Sequence, residues 1–378
     1  MTFRRSAPVT LCLSVIVLVT AMAAVAAMLF TRLTTAVEEN QFQLMRAIVE
    51  TALANASNKA LATAELIASL PPTQPLMAGG DRKALLAEFA PMFAIQKARH
   101  GVDQAQFHVP PATSVLRLHE PSAFGDDGTA SKPMVVAANR DKAPIKGIAS
   151  ARNGPAIFGV APITDANGRH LGSFEVGIAF GPLLADLKVA YGIDLALFVD
   201  GELLREFGKN IAPERLGEDN RVGHYIRLET TNAATMAALV EPSDLAVVTE
   251  PVTYTRDADG LVQGVVLIPL TNALGAPLGV IAAARDFGDS RAAWGRSMVW
   301  LATMALVVMV LLCGIILIVV RGFVVRPLQV LGEGLVSLAN GGPLDPIEGS
   351  ERFAGELQPF VELYDRVRLR RARAGAPS

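Results

Sequence analysis

The side chains best suited to recognition chemistry cluster in Phe107-His108-Val109-Pro110-Pro111-Ala112-Thr113-Ser114-Val115-Leu116-Arg117-Leu118-His119. Two hydroxyls, of which Ser114 is the candidate, two imidazoles and a guanidinium fall within it, and Arg152 and Glu175 add a cation and a carboxylate from later elements. The candidate ligand-binding set is therefore Phe107, His108, Ser114, Arg117, His119, Arg152 and Glu175. A guanidinium fork can hold a carboxylate through two parallel hydrogen bonds. If Ser114–His119 is a strand, Arg117 and His119 point to one face, and Leu116 and Leu118 to the other. The same residues have a plainer use. Pro110-Pro111 can set a turn, and Arg117 can pair with Asp126 or Asp127 to fix a loop, since buried polar groups usually find local partners.

The sequence holds no Gly-x-Ser-x-Gly elbow, phosphate loop or His-Glu-x-x-His helix. Asp126-Asp127 is one adjacent acidic pair, whose side chains would point apart in a strand. His108 and His119 without a nearby third ligand fall short of ordinary zinc coordination. Cys12 and Cys313 both sit in long apolar runs, so no disulfide framework, cysteine-ligated metal or covalent haem site can be built outside those runs. The expectation is no enzyme, no cofactor and no metal.

Such a set needs a scaffold, and 378 residues argue for two or three units. Composition is 51% hydrophobic and 19% charged, which suggests membrane segments. A net charge of −2 gives no electrostatic reason to expect nucleic acid. Residues 7–30 and 298–320 are charge-free, and each exceeds the ~20 residues a helix needs to cross a bilayer. A cleaved signal peptide is the alternative for the first run, given Arg4, Arg5 and the small residues Ala24–Ala27. Its apolar stretch is longer than the usual ~7–15 residues of a signal sequence, which favours an anchor. Charge alone leaves the orientation nearly tied: Arg4, Arg5, Arg321 and Arg326 compete with Arg32, Arg285, Arg291 and Arg296. The cluster Arg366, Arg368, Arg370, Arg371 and Arg373 leans toward a cytoplasmic tail.

Between the runs, Leu33–Leu70 reads as one long helix stopped by Pro71-Pro72, and Arg82–Arg99 as a second that ends at Gly101. Short β-rich stretches follow. Two of them repeat. Val160-Ala161-Pro162-Ile163-Thr164-Asp165-Ala166-Asn167-Gly168-Arg169-His170-Leu171-Gly172 matches Leu267-Ile268-Pro269-Leu270-Thr271-Asn272-Ala273-Leu274-Gly275-Ala276-Pro277-Leu278-Gly279, with Thr164 and Thr271 107 residues apart. Proline, threonine, alanine, leucine and both glycines coincide, and Phe180-Gly181 and Phe287-Gly288 extend the match. Each copy reads as a hairpin, with Asn167-Gly168 supplying positive φ. Two copies of one α/β module are expected.

This layout resembles periplasmic double-Cache sensors, in which a long membrane-rising helix precedes two PAS-like modules. The run 107–119 followed by Phe124-Gly125-Asp126-Asp127 is similar to the core of one double-Cache subfamily of chemoreceptors and sensor kinases, as are Gly172-Ser173-Phe174-Glu175-Val176-Gly177 and Tyr191-Gly192-Ile193-Asp194-Leu195-Ala196. The resemblance implies a five-stranded sheet behind a small pocket. It also marks departures: relatives tend to carry glutamate after Gly147 and arginine near Ile157, where this chain has Ile148-Ala149 and Phe158. If those polar groups hold ligand, specificity has changed or been lost.

After the second run, Pro327 precedes Leu328, Leu331, Leu335 and Leu338, spaced 3, 4, 3; Leu357, Phe360, Tyr364 and Val367 repeat that spacing beyond Gly341-Gly342-Pro343. Such seams close into a parallel bundle only with a second chain. The pattern resembles a HAMP relay, with Leu344 and Ile347 in the connector and Glu356 opening the second helix; the usual Asp-Glu-x-Gly is reduced to Gly355-Glu356-Leu357-Gln358. The relay set is Pro327, Leu331, Leu335, Leu338, Glu356, Leu357 and Phe360. HAMP modules are cytoplasmic, which orients the chain. An amphipathic juxtamembrane helix pair without signalling role is the alternative.

The expected organisation is an N-terminus at 1–6, a span at 7–30, a long periplasmic helix at 31–70, a membrane-distal module at 71–185, a membrane-proximal module at 186–297, a span at 298–320, a relay at 321–370 and a basic tail at 371–378. The expected function is a sensory receptor of the bacterial inner membrane, with 31–297 periplasmic and the C-terminus cytoplasmic. It would bind an unidentified small molecule, act as a homodimer or as a mixed dimer with full-length receptors, and signal through a separate protein, because no output domain follows the relay. The alternative is a membrane-anchored binding or scaffold protein, or a truncated receptor, without signal output.

Overall fold

The computed structural model describes residues 3–246, 248–258, 260–340, 345–353 and 355–374. The chain divides into two compact units, Met1–Thr35 with Arg291–Ser378, and Ala36–Ser290. A single helix, α1 (Phe3–Ser69), leads into the second unit, followed by α2 (Thr73–Gly79) and α3 (Arg82–His100). Pro71 and Pro72 end α1, and the buried Thr73 hydroxyl donates to the carbonyl of Ile67 at 2.6 Å to turn the chain. Asp81 caps α3 by accepting from the amide of Ala84 at 3.0 Å, and Gly101 closes it at φ +68°.

The first sheet contains β1 (Val102–Val109), β2 (Thr113–Arg117), β3 (Ile145–Ala149), β4 (Ala156–Thr164) and β5 (His170–Ala179), with α4 (Pro133–Asp141) between β2 and β3. Its strand order is β2-β1-β5-β4-β3. After α5 (Phe180–Tyr191) come β6 (Asp194–Asp200), α6 (Gly201–Phe207), β7 (Arg221–Val222), β8 (Tyr225–Thr230), α7 (Ala233–Leu239), α8 (Pro242–Leu245), β9 (Val252–Ala258), β10 (Leu261–Thr271) and β11 (Pro277–Asp286). The second sheet runs β7-β8-β6-β11-β10-β9. Apart from the two-residue β7, its order repeats that of the first.

The repeated residues have the same physical task in each sheet. Asp165 and Asn272 each accept two backbone hydrogen bonds at 2.9 Å, from Asn167 and Arg169 and from Leu274 and Ala276. Gly168 and Gly275 close these turns at φ +78° and +89°. Asn167 is not among the positive-φ residues, so the glycine alone supplies the left-handed position expected of Asn167-Gly168. At Gly172 a Cβ would overlap the carbonyl oxygen of His108, and at Gly279 that of Phe198. Phe180 and Phe287 are both buried core residues.

One face of the first sheet is apolar. Phe107, Leu116, Ile157, Ile163 and Phe174 pack on Ala60, Ala64 and Ile67 of α1 and on Leu85 and Phe89 of α3. The helix backbone at Ala60–Leu61 lies directly on Gly159 of β4. The small side chains of α1 permit that approach, and nothing larger than glycine fits opposite them.

In the first unit, the start of α1 and α9 (Gly288–Val319) are long and apolar enough to cross a membrane by length and composition. Helix α9 passes through a π-helical turn at Val320–Val325 into α10 (Arg326–Ala339), with Pro327 in its first turn. The connector residues Gly341-Gly342-Pro343 and Leu344 lie outside the described residues. Helix α11 spans Gln358–Ala374, so Glu356 and Leu357 lie in a 3-10 turn before it rather than opening it. Leu331, Leu338, Val361 and Tyr364 are buried within this unit, whereas Leu328, Leu335, Phe360 and Val367 are exposed.

Candidate ligand pocket

On the opposite face of the first sheet the part formed by β1, β2 and β5 is polar and yet buried, whereas Ala156, Phe158 and Val160 of β4 keep it apolar beneath α4. Pairing sets Gln106 opposite Glu175 and His108 opposite Ser173 on β1 and β5, and sets Gln106 opposite Arg117 on β2. Opposed residues share a face, so Gln104, Gln106, His108, Ser114, Arg117, Ser173 and Glu175 form one layer; they are seven of the nine buried polar residues among those described. Burial of so many polar groups needs partners. Gln106 Nε2 donates to Ser114 Oγ at 2.7 Å. Arg117 donates to the carbonyl of Ala123 at 2.9 Å and to Asp126 Oδ2 at 2.6 Å, so the loop-fixing pair with Asp126 is present.

At the centre, Glu175 accepts from the Lys132 ammonium and lies 3.3 Å from His108 Nε2. Burial alone would raise the Glu175 carboxyl, but the Lys132 charge and the His108 hydrogen bond overturn that and carry it down to about 2. Burial pushes His108 below its ordinary value despite the opposing pull of Glu175. An ionised carboxylate only accepts, so the neutral ring carries its proton on Nε2. That leaves His108 Nδ1 without a partner, as is Ser173 Oγ across the strand pair. Burial likewise lowers His119, whose Nδ1 lies 3.3 Å from the backbone of Ala105.

A cavity of about 340 Å³ opens over this layer. Ser114, Arg117, His119 and Arg152 line it, together with Gln104, Gln106, Asp126 and Lys132. Strand β2 ends at Arg117 rather than reaching His119, but the two side chains still meet the same cavity. Three other candidates do not reach it. Phe107 is on the opposite face, its ring 4.4 Å from that of Phe174 and 5.3 Å from that of Phe89. His108 and Glu175 lie behind the wall, where Glu175 holds Lys132 and His108 braces Glu175. Phe158 is buried beneath α4 with Met134 and Val135, and Ala149 is packed at the edge of that cluster.

Sequence reasoning missed Gln104, Gln106 and Lys132, and also the contribution of Glu206, Phe207, Lys209 and Asn210 from the region of α6. The alternation Gln104-x-Gln106-x-His108 was the available signal for the first two. A larger cavity of about 460 Å³, walled by Lys59, Lys97, Arg99 and Asp186, lies elsewhere on this unit. None of the buried polar residues lines it, so the chemistry favours the smaller cavity.

The family model for the double sensory domain of two-component sensor kinases, dCache_3, matches residues 37–282. The chain belongs to this double-Cache family. Solved structures similar to this chain include an extracellular ligand-binding receptor from Desulfohalobium retbaense, 12% identical, with 68% of this chain and 40% of that one covered and a TM-score of 0.30. The chain thus spans less than half of that receptor. The ligand-binding domain of the Pseudomonas aeruginosa amino acid chemoreceptor PctC, in complex with GABA, is 13% identical, with 65% and 97% covered and a TM-score of 0.35. The sensory domain of the Campylobacter jejuni chemoreceptor Tlp3, with isoleucine bound, is 12% identical, with 69% and 97% covered and a TM-score of 0.38. No curated protein matches. A double-Cache family of this description is sensory rather than catalytic.

Proposed function

We propose that the chain is a transmembrane sensory receptor. The first module binds a small extracytoplasmic molecule in the cavity over β1, β2 and β5, and a HAMP-like hairpin passes occupancy to a separate cytoplasmic partner. The carrying observation is the cavity of about 340 Å³ with a buried, hydrogen-bonded polar layer at its floor. The second sheet buries apolar faces, so a sheet that buries polar side chains beside empty volume suits a polar occupant. Ser114, Arg117, His119 and Arg152 are the direct contacts in this reading, while Glu175, braced by His108, positions Lys132.

The organisation around the site follows. The two charge-free runs anchor the chain in the inner membrane, 31–297 is periplasmic, and the C-terminus is cytoplasmic. The relay acts as a homodimer or in a mixed dimer with other receptors. Support comes from its half-filled seam: Leu331 and Leu338 are covered within the hairpin, whereas Leu328, Leu335, Phe360 and Val367 are left for a second chain.

The test is the melting temperature of residues 31–297 against amino acids, organic acids, amines and purines. A ligand bound only by the native state stabilises it by about 2.7 kcal/mol at a hundredfold excess over Kd. A shift that disappears in Arg117→Ala supports the site. A broad panel without any shift removes the ligand-binding reading.

A further inference from the structure

Asp126 Oδ2 lies between two guanidiniums, 2.6 Å from Arg117 Nη2 and 3.2 Å from Arg152 Nη2. Arg117 is buried and comes from β2, whereas Arg152 comes from the loop between β3 and β4. Lys209, from the loop after α6, lines the same cavity and has no carboxylate partner among the described residues. Arg117, Arg152 and Lys209, from three parts of the chain, thus face one cavity beside Lys132, whose ammonium is held by Glu175, and one side-chain carboxylate joins the first two. Glu120, Asp127 and Glu206 also line the cavity; Asp127 accepts from Thr129, and among the described residues no ion pair ties the three to these cations.

We propose that Asp126 is a resident stand-in for an acidic ligand. A small carboxylate displaces its side chain, takes its place between Arg117 and Arg152, and reaches Lys209 of the second module. The inference rests on reading this cavity as the ligand site, and it adds the ligand's charge, its internal competitor and a residue of the second module. The exchange is electrostatically feasible because one carboxylate replaces another, so the buried Arg117 is never left as an unpaired charge, the arrangement that is most destabilising. The backbone need not move. Asp126 O accepts from the amide of Ser114 at 3.0 Å, and the amide of Gly125 donates to the carbonyl of Ser114 at 2.8 Å, which pins the segment to β2. The Asp126 side chain is 37% exposed, so a rotation about its Cα–Cβ bond carries it into solvent.

Occupancy would be felt in the second module through two contacts. Lys209 touches the ligand directly, and the carbonyl of Arg152 accepts from the amide of the adjacent Asn210 at 2.9 Å. A ligand that re-aims Arg152 therefore shifts the loop that carries Lys209. A ligand that competes with a resident group binds more weakly by the fraction of time the seat is vacant.

The experiment is calorimetric titration of the full chain in lipid nanodiscs with acetate and succinate at fixed ionic strength. Asp126→Asn keeps the shape of the side chain and removes its charge; Asp126→Ser is the second variant should the first fold poorly. Both are expected to bind succinate at least about tenfold more tightly than the wild type, the penalty removed when a seat filled at least nine-tenths of the time becomes free. Adding Lys209→Met to Asp126→Asn is expected to reverse a substantial part of that gain. No gain in folded Asp126→Asn or Asp126→Ser overturns the stand-in, and no effect of Lys209→Met overturns the role of the second module. A wild type that responds to a neutral or basic compound, loses the response in Arg117→Ala, and gains nothing for succinate in Asp126→Asn would retain the ligand site and refute this inference alone.

Discussion

Replacement of Lys132 by methionine removes the ammonium that sustains the Glu175 charge, while keeping most of the side-chain volume. In the wild type the Glu175 carboxyl falls from an ordinary 4.5 to about 2. At about 1.4 kcal/mol per unit, this corresponds to about 3 kcal/mol of stability. The sign follows from the depressed value: the stability is fully present above pH 4.5 and is lost as pH falls toward 2. Without Lys132, burial acts against the charge with only the His108 hydrogen bond and charge left to oppose it, so the carboxyl is expected to rise, and Lys132→Met to be destabilised at pH 7 and to recover on acidification. Breaking one side of a buried pair costs about 3–5 kcal/mol. At about 2–4 °C per kcal/mol for a region of this size, the melting temperature of residues 31–297 should drop by at least about 6–12 °C at pH 7. Circular dichroism melts at pH 7 and pH 5 measure it, and Lys132→Met/Glu175→Gln should regain much of the loss. A Lys132→Met melt within about a degree of wild type at pH 7, with no recovery at pH 5, would refute the reasoning.

Arg117→Ala should remove the response to any ligand of the cavity and cost about 1–3 kcal/mol, because the carbonyl of Ala123 loses its donor and the carboxylate of Asp126 the nearer of its two guanidiniums; melts with and without ligand read both effects. Phe107→Ala should cost about 3–5 kcal/mol in guanidinium unfolding, since its ring is core between Phe89 and Phe174. Ligand affinity of the folded Phe107→Ala fraction should stay near wild type, which separates a core residue from a contact. Gly159→Val should be among the most damaging substitutions in the sheet, because its side chain would meet the α1 backbone at Ala60–Leu61; loss of cooperative melting would register it. Leu335→Glu should leave ligand affinity unchanged and abolish both relay dimerisation and any cytoplasmic response, read by cross-linking in membranes and by a downstream reporter.

Much of the fold was legible because the signals were local and doubled. A turn glycine is required wherever φ is positive, and a close strand approach excludes a Cβ, so Gly168 and Gly172 recur as Gly275 and Gly279. Arg117 and its pairing with Asp126 were legible because nine residues of chain bring them together. The partner of Glu175 was not. Lys132 lies 43 residues away, and only the packing of the segment before α4 over the sheet brings the charges together. The same limit hid Lys209 and Asn210, whose place depends on how the second module meets the first. Phe107 was misplaced for a simpler reason: its neighbours in the motif are polar, and strand alternation puts every second residue on the other face. The heptads predicted a seam but could not say which half the hairpin covers by itself.

Hydrogen exchange of the full chain in nanodiscs, with and without the best compound from the panel, tests the location of the sensory site most directly. Protection is predicted in β2 at Thr113–Arg117, in the loop at 119–128 and at 206–210, where the cavity walls converge. Protection confined to the region of Lys59 and Lys97–Gly101, around the larger cavity, would contradict the account and move the binding site away from Arg117.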